Sequence, residues 1–358
     1  MKVENTPSEL GFYFPAEFYP QEAMWLSWPH NEESWPGKID SIYNPYCEFV
    51  LRIAEHQKVK INVADYQMEE FARNKIAHSS FAVKLNNLDR TLNNISYFHH
   101  PTNDAWCRDH GPAFIINPVS DEKAIIDWGY NAWGNKYPPY ELDDIIPSLV
   151  GDALGLRVFH PGVVMEGGSV DFNGNGTLLT TTACLLNKNR NPHLSKKEIE
   201  KYLMNFYGVQ QILWLVDGIV GDDTDGHVDD ITRFVNEDTV VTAIEKNKKD
   251  ENYLLLQQNL KELRKMKLLD GKQLNVVELP MPDPVIYKDQ RLPASYANFY
   301  ISNHSVIVPT FRDEKNDILA LEILQDCFHN RSVVGIDSWD LIWGLGSFHC
   351  LSQQEPAI

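Results

Sequence analysis

The sequence predicts an α/β protein built from a repeated β-β-α-β unit. Short apolar segments with the length of β-strands occur at 59–65, 95–101, 156–162, 211–217, 274–280 and 332–338. Helical stretches precede most of them, near 42–56, 141–155, 195–206, 252–267 and 316–328. Hairpin-like segments lie between one strand and the next helix, as at 169–182 around Asn-Gly-Asn-Gly and 296–308 around Ser-Asn-His. These helices, each with a strand on either side, imply five units.

Units that cannot bury an apolar face alone must stack, either as an open row or as a closed ring. The sequence pattern is compatible with both arrangements. The competing architecture is a doubly wound α/β sheet, which commonly binds a nucleotide. No Gly-x-Gly-x-x-Gly follows the first strand, and no glycine-rich loop carries a Walker lysine. We therefore expect no nucleotide site.

Composition restricts the class of partner. The 358-residue chain has 32 Lys plus Arg against 50 Asp plus Glu, a net charge of -18. This charge disfavours nucleic acid and anionic membranes, and it favours a small cationic ligand. No apolar run reaches the roughly 18 residues that a membrane helix needs, and the first residues lack the apolar core of a signal peptide. We expect a cytoplasmic protein.

The five cysteines have no close pairs, which argues against a disulfide framework and against a Cys-x-x-Cys zinc site. One of them, Cys350, follows the small residues Gly344, Gly346 and Ser347 and precedes a polar Ser-Gln-Gln-Glu run. This setting suits a nucleophile, although a cysteine between Phe-His and Leu is more often a small buried apolar residue. Residues upstream decide between the two interpretations.

Polar, glycine-punctuated loops follow the predicted strands. They lie at 106–112, 165–169, 221–230 and 289–296, and the Cys350 segment is the fifth. If the units are related by rotation, these loops meet at one end of the molecule. The side chains that would then converge are Asp109, Glu166, His227, Asp229 and Cys350.

Each of these groups has a simpler interpretation. Asp109 could form an Asx turn before Gly111, and the acids of 222–225 could do the same before Gly226. The segment 222–226 resembles a calcium loop, but the spacing places Gly221 and Thr232 at essential ligand positions. His227 and Asp229 lack the further His or Cys pair that zinc requires. We expect no metal site.

The set as a whole fits guanidinium chemistry. A guanidinium is planar and cationic, and its paired N–H groups match carboxylate oxygens, so two buried carboxylates form the expected clamp. His227 and Asp229 fall on the same side of an extended strand, since side chains alternate. A thiol, an imidazole and a carboxylate that orients the imidazole complete a nucleophilic triad.

Six ordered motifs resemble those of the agmatine deiminases, within the broader peptidyl-arginine deiminase group of guanidine-modifying enzymes. The motifs are P-A-E-F-Y-P with M-W-L-S-W-P, W-C-R-D-H-G-P, M-E-G-G-S, T-A-C-L-L-N-K-N-R-N-P-H-L-S, D-G-H-V-D and G-S-F-H-C-L-S-Q-Q-E-P. The resemblance covers nearly the whole chain. It implies a five-bladed, pseudo-fivefold α/β propeller of ββαβ units, the pentein fold. Residues 1–358 would form one catalytic domain, with 1–36 an extended aromatic and proline-rich segment packed on it.

The resemblance also implies roles for individual residues. Cys350 matches the nucleophile, His227 the general acid and base, and Glu166 its carboxylate partner. Asp109 and Asp229 match the guanidinium clamp, and Trp106 a residue lining the substrate channel. His110 stands where Ser or Thr is common, and Asp225 stands where Asn is common. The resemblance therefore does not specify which residues bind the substrate tail. Asp223 is our candidate for the contact with the amine. No cofactor is implied, and relatives suggest a homodimer.

Alternative functions remain at this point. One is deimination of free or peptidyl arginine, and another is an amidinotransferase that uses the same residues with an amine in place of water. A third is a polyamine-binding protein without catalysis. We interpret His304 and His349 as packing or supporting groups, and the remaining cysteines as buried structural residues: Cys47, Cys107, Cys184 and Cys327.

Overall fold

The computed structural model describes residues 5–358 and shows a mixed α/β fold with five main sheets. The strands are β1 Gln21–Ser27, β2 Lys58–Val63, β3 Ile95–His99, β4 Ala113–Asn117, β5 Glu122–Ile126, β6 Arg157–Phe159, β7 Val170–Phe172, β8 Thr177–Thr181, β9 Gln211–Leu215, β10 Thr232–Phe234, β11 Thr239–Ile244, β12 Asn275–Pro280, β13 Ile286–Tyr287, β14 Gln290–Arg291, β15 Tyr300–Ile301, β16 Ser305–Thr310, β17 Ser332–Asp337 and β18 Ser352–Pro356.

Helices connect these strands, and most of the longer ones lie between two parallel strands of a sheet. They are α1 Ile39–Ala54, α2 Tyr66–Ala77, α3 Leu88–Leu92, α4 Cys107–His110, α5 Ala132–Asn135, α6 Glu141–Asp144, α7 Ile146–Leu154, α8 Thr182–Leu185, α9 Lys196–Tyr207, α10 Asn252–Leu263, α11 Glu314–Cys327 and α12 Phe348–Leu351. In the described residues, no helix has the length and apolar character that a membrane crossing requires.

The unit formed by β7, β8, α9 and β9 shows the repeated plan. β7 runs antiparallel to β8, and α9 returns the chain so that β9 lies parallel to β8. A capping box of Ser195 and Glu198 starts α9, and Gly208 ends it with a left-handed φ of 69°. One face of α9 buries Ile199, Leu203 and Tyr207, which are spaced one turn apart.

Three further sheets repeat this order: β4-β5-β6, β10-β11-β12 and β15-β16-β17. All six predicted strands are present, and a helix lies at each predicted position, with the stretch 141–155 divided into α6 and α7. The sheets are separate and open; across residues 5–358 none closes into a barrel.

The fifth sheet, β18-β1-β2-β3, is completed by both ends of the chain. β1 lies between β18, to which it is antiparallel, and β2, to which it is parallel. The segment predicted to pack over the body thus contributes an interior strand of this sheet, which the sequence analysis did not predict. β3 and the preceding helices α2 and α3 are an addition to the common plan.

In each common unit the chain leaves the third strand, and in the enlarged sheet it leaves β3. The segments that follow these strands lead toward the candidate residues. The short helical turn α4 carries Asp109, a 3-10 turn at 167–169 follows Glu166, and another at 228–230 follows His227. The turn α12 carries Cys350 immediately before β18. Each turn comes directly before or within a few residues of the first strand of the following unit, so the sheets fix its position.

Candidate active site

The candidate residues surround Gly168, where the structure leaves space for no side chain. A β-carbon at this position would lie 2.6 Å from His227 Nδ1, 2.8 Å from Asp109 Oδ1 and 3.0 Å from Asp229 Oδ2. The Gly168 N–H donates to Asp109 Oδ1 at 3.0 Å. Side chains from two loops, 106–112 and 221–230, therefore meet around a glycine of a third loop.

Cys350 joins this group through Asp229. Its Sγ lies 3.7 Å from Asp229 Oδ2, and the Asn298 amide donates to the same sulfur at 3.0 Å. The side chain is 6% exposed. Burial, followed by the charges of Asp229, Asp230 and Asp109, raises the pKa of Cys350 well above its usual value. The free thiol is therefore neutral at physiological pH.

Each carboxylate oxygen of Asp109 accepts one hydrogen bond from a fixed donor. Besides the Gly168 N–H on Oδ1, the indole N–H of Trp133 donates to Oδ2 at 3.0 Å. Burial raises the pKa of Asp109 to about 6, and the nearby His227 opposes the shift. The Asp109 carboxylate is thus held in place while it retains lone pairs for a ligand.

His227 is fully buried, and neither ring nitrogen has a hydrogen-bond partner within the described part of the chain. Asp109 Oδ1 is 3.6 Å from His227 Nδ1. Burial by itself lowers the pKa of His227, but Asp109 first, then Cys184 and Asp229, raise it well above the usual value. The imidazole is therefore protonated when its acidic neighbours are ionised.

Glu166, expected as the carboxylate partner of His227, makes its hydrogen bond to a different residue. Its Oε1 accepts from Arg190 Nε at 2.7 Å, whereas Oε2 accepts no hydrogen bond from residues 5–358. Glu166, Cys184 and His227 each place one donor atom within 4.8 Å of the others. Glu166 thus lies close to His227 without a hydrogen bond to it, and Cys184, interpreted as purely structural, also adjoins the imidazole.

Two sets of atoms have the spacing of metal ligands, namely Glu166 with Cys184 and His227, and Asp229 with Asp230 and Cys350. In the first set the guanidinium of Arg190 already faces the carboxylate, with its Nε bonded to Glu166. A second cation there would meet electrostatic repulsion. The expectation of a metal-free site stays a prediction.

Trp133 and Asn298 are site residues that the sequence analysis did not identify. Ala132, Trp133, Gly134 and Asn135 all have positive φ, and this left-handed turn directs the Trp133 indole at Asp109. Asn298 contacts the Cys350 sulfur, and its Oδ1 accepts the backbone N–H of His349 at 3.1 Å. The repeated aromatic and glycine residues of 128–137 are the only sequence signal for Trp133.

The acids expected near the substrate tail, Asp223 and Asp225, lie in a loop and are already bonded to residues of other segments. The Asp223 carboxylate accepts from the Tyr137 hydroxyl, and Asp225 pairs with Arg190 and with Lys136, the latter at 2.9 Å. Trp106 is buried against Trp35 at a ring-centroid distance of 5.1 Å.

His110 occupies a buried position without a hydrogen-bond partner. It is 2% exposed, and no residue that the structure describes bonds to its ring nitrogens. Burial lowers the pKa of His110 to about 3. His110 is therefore neutral at physiological pH and supplies no positive charge for a substrate carboxylate.

Comparison with known proteins identifies a family and relatives that match nearly the whole chain. A family model of Porphyromonas-type peptidyl-arginine deiminases matches residues 13–356. A Legionella pneumophila protein assigned by name to the agmatine deiminases is 38% identical over 359 aligned residues, covering 99% of this chain and 98% of that protein.

Solved structures give the same result. The agmatine deiminase of Enterococcus faecalis superposes with a TM-score of 0.90 at 32% identity, covering 99% of this chain and 98% of that one. A cysteine-to-serine variant of Campylobacter jejuni agmatine deiminase with substrate bound superposes with a TM-score of 0.84 at 34% identity, covering 96% of each chain. The chain therefore belongs to the Porphyromonas-type peptidyl-arginine deiminase family.

Proposed function

We propose that this protein is an agmatine deiminase, which hydrolyses the guanidinium of agmatine to N-carbamoylputrescine and ammonia. The observation that carries the proposal is the meeting of Asp109, Asp229 and His227 around Gly168, with the Cys350 sulfur 3.7 Å from Asp229. Two buried carboxylates match the paired N–H groups of a planar cation. The similar proteins from Enterococcus and Campylobacter carry the agmatine deiminase name.

The two carboxylates bind and orient the guanidinium. Charge delocalisation makes the central carbon a poor electrophile, so fixing it against the nucleophile contributes several kcal/mol by proximity, of the about 7–11 kcal/mol available to well-oriented reactants. Each charge-assisted hydrogen bond adds about 1.5–3 kcal/mol. Asp229 Oδ1 accepts no hydrogen bond from residues 5–358 and is therefore available for a substrate N–H.

Cys350 is the nucleophile in this mechanism. The arriving cation offsets the field of Asp229 and Asp109 that otherwise keeps the thiol neutral, and the thiol proton passes to solvent. The thiolate adds to the guanidinium carbon, and protonated His227 gives its proton to the departing nitrogen. The carbon–nitrogen bond breaks, ammonia leaves and an S-alkylthiouronium remains on Cys350.

Water completes the turnover. His227, now neutral, takes a proton from a water molecule that attacks the thiouronium carbon. The carbon–sulfur bond breaks and returns the Cys350 thiolate, and the carbon keeps the oxygen as a urea once the remaining hydroxyl proton has passed to solvent. Glu166 supports this cycle from beside His227 through its charge, since its hydrogen bond goes to Arg190.

The charges at the acidic loop favour agmatine over arginine. Agmatine ends in an ammonium, whereas arginine carries a carboxylate that requires a cation. Lys136 and Arg190, the cations at this loop, are both paired with Asp225. We assign the contact with the agmatine amine to Asp223, which would release or share its bond with Tyr137.

The architecture proposed for this function is a five-bladed propeller of pseudo-fivefold symmetry. In this proposal its blades are the four three-stranded sheets of common order and the fifth sheet, which β3 enlarges, and the loops that converge near Gly168 lie on its axis. In this proposal residues 1–358 are one catalytic domain, the protein is a cytoplasmic homodimer, and no cofactor takes part.

A substrate panel tests the function. We expect ammonia release from agmatine, and much slower or no release from arginine and peptidyl-arginine, because Lys136 and Arg190 are already paired with Asp225. The assay runs without an added amine, so steady formation of a ureido product identifies a hydrolase and its absence identifies an amidinotransferase. Equal or faster release from arginine would contradict the proposed specificity.

The state of Cys350 in the free enzyme is a separate prediction. Alkylation by neutral iodoacetamide should be slow at pH 7 and rise with a midpoint above the ordinary thiol pKa of about 8.5, because burial and the neighbouring acids raise the pKa of Cys350. Cys350→Ser corrects for Cys327, which alone among the five cysteines is partly exposed. A fully ionised Cys350 at pH 6 would exclude the proposed activation by substrate.

Trp133→Phe tests the support of the clamp. The variant removes the N–H that Asp109 Oδ2 accepts at 3.0 Å, so we expect kcat/KM for agmatine to fall about 10-fold, mainly through KM. The matched control is Trp28→Phe, since the buried Trp28 indole N–H has no partner within residues 5–358. Equal effects of the two substitutions would show that the hydrogen bond to Asp109 is unimportant.

A further inference from the structure

A chain of buried charges leads away from the clamp. The ring of His349, the residue next to Cys350, joins two carboxylates: Nδ1 lies 2.6 Å from Asp229 Oδ2, and Nε2 lies 2.8 Å from Glu17 Oε2. All three side chains are at most 6% exposed. Glu17 belongs to the P-A-E-F-Y-P motif, for which the sequence analysis offered only packing.

Glu17 is fixed by donors from three other parts of the chain. Its Oε1 accepts the Ile301 N–H at 2.6 Å, and its Oε2 lies 3.0 Å from an Nη2 atom of both Arg108 and Arg233. Burial alone would raise the pKa of Glu17, but Arg233, His349 and Arg108 hold it far below the usual value. Glu17 is thus an ionised acceptor at neutral pH.

Asp229 is ionised as well. Burial opposes its charge, yet the hydrogen bond and charge of His349, and then His227 and Arg233, lower the pKa of Asp229 below its usual value. An ionised carboxylate only accepts hydrogen bonds. Both ring nitrogens of His349 lie within hydrogen-bond distance of such a carboxylate, so the geometry gives both of them the role of donor.

The charges around His349 balance in this state. Glu17 and Asp229 contact its ring, Arg108 and Arg233 pair with Glu17, and Arg233 also binds Asp171 at 2.6 Å. Three cations therefore meet three anions in a buried region where an unbalanced charge would be costly. A neutral His349 would leave one negative charge without compensation.

The two carboxylate oxygens of Asp229 therefore have different roles. Oδ2 is held by His349, whereas Oδ1 is buried and accepts no hydrogen bond from the described residues. A bond to only one oxygen fixes the plane of the carboxylate and leaves the other oxygen for a ligand N–H.

We propose that Glu17 and His349 are positioning residues: Glu17 keeps His349 as an imidazolium, and His349 orients Asp229 and keeps it charged for the substrate guanidinium. The proposal rests on the proposed function for the identity of the substrate. It assigns a role to two residues outside the predicted site, and neither of them touches the reacting atoms.

The first test needs no substrate. Nitrogen NMR of the histidine rings, with His349 assigned by its loss in His349→Asn, should show an imidazolium in the wild type at pH 7. In Glu17→Gln the amide donates toward Nε2, so His349 should become neutral with the proton on Nδ1. A neutral His349 in the wild type would overturn the proposal.

The second test is kinetic and uses three substitutions, Glu17→Gln, His349→Asn and His349→Ala. In His349→Asn the side-chain amide still donates to Asp229, and the Glu17 contacts with Arg108 and Arg233 remain, so this variant should fold even if Glu17→Gln does not. We expect KM for agmatine to rise about 10-fold in Glu17→Gln and His349→Asn, and about 100-fold or more in His349→Ala.

A pH profile separates positioning from a structural role. A neutral residue at 349 no longer lowers the pKa of Asp229, so the lower of two acid limbs of kcat/KM, which belongs to Asp229 and lies below the Asp109 limb near pH 6, should move upward by about one pH unit. A purely structural role would instead lower Tm and leave this limb in place. Equal KM values for His349→Asn and His349→Ala with an unmoved acid limb would overturn the proposal.

The NMR and kinetic measurements together also distinguish a failure of this inference from a failure of the proposed function. If the wild type releases no ammonia from agmatine, the function is wrong. The NMR measurement still decides whether Glu17 sets the charge of His349.

Discussion

Cys350→Ala is expected to lower ammonia release from agmatine by at least about 10⁴-fold, because the proposed mechanism forms its covalent intermediate on the Cys350 sulfur. The clamp of Asp109 and Asp229 remains in this variant, so agmatine should still bind with an affinity near the wild-type value. Ammonia release and calorimetric binding together check both expectations.

Cys327→Ser is the matched control for this substitution. Cys327 is a partly exposed thiol at the end of α11, and its replacement should leave turnover unchanged. Activity in Cys350→Ala within 10-fold of the wild type would eliminate a cysteine mechanism at this position.

Gly168→Ala is expected to cause the second largest loss, about 10²- to 10³-fold in kcat/KM, with the fold retained. The added methyl group would lie within 3.0 Å of His227, Asp109 and Asp229, so all three must move. A displacement of about 1 Å in a catalytic group can cost about 100-fold in rate. Kinetics with agmatine and a melting curve measure the two parts of the expectation.

Gly129→Ala supplies the comparison for Gly168→Ala. A β-carbon there would meet its nearest neighbour, the Val163 carbonyl oxygen, at 3.3 Å, away from the three catalytic side chains. We expect nearly normal activity. If the two alanine variants behave alike, the convergence at Gly168 has no catalytic importance.

The sheets were largely predictable because most of their interior strands are apolar. β1 was missed since its residues are nearly all buried and show no alternation, and its partner β18 is the polar segment S-Q-Q-E-P. Glu355 can be buried in β18 because Lys60 and Lys123 bind it at 2.7 and 2.9 Å. Such long-range ion pairs leave no local pattern in the sequence.

The difference between local motifs and long-range contacts also explains which candidate site residues the sequence indicated. Asp109, His227, Asp229 and Cys350 stand in short polar motifs, and the structure brings them together. Trp133 was missed because its role is to donate a hydrogen bond to a residue from another loop.

Glu166 shows the limit of assigning roles by resemblance. The residue lies beside His227, but the hydrogen bond of its carboxylate goes to Arg190, which comes from a different segment. His349 was interpreted as a packing or supporting group. Its contacts with Asp229 and Glu17 support the second interpretation and extend it.

The covalent intermediate provides the most direct test of the central claim that Cys350 attacks a guanidinium held by paired acids. Wild-type protein mixed with agmatine, quenched with acid within the first turnover and digested should show a peptide carrying Cys350 that is heavier by agmatine minus ammonia. Asp109→Asn should reduce the amount of this adduct. Turnover with no adduct on Cys350, or with the adduct on another residue, would contradict the account.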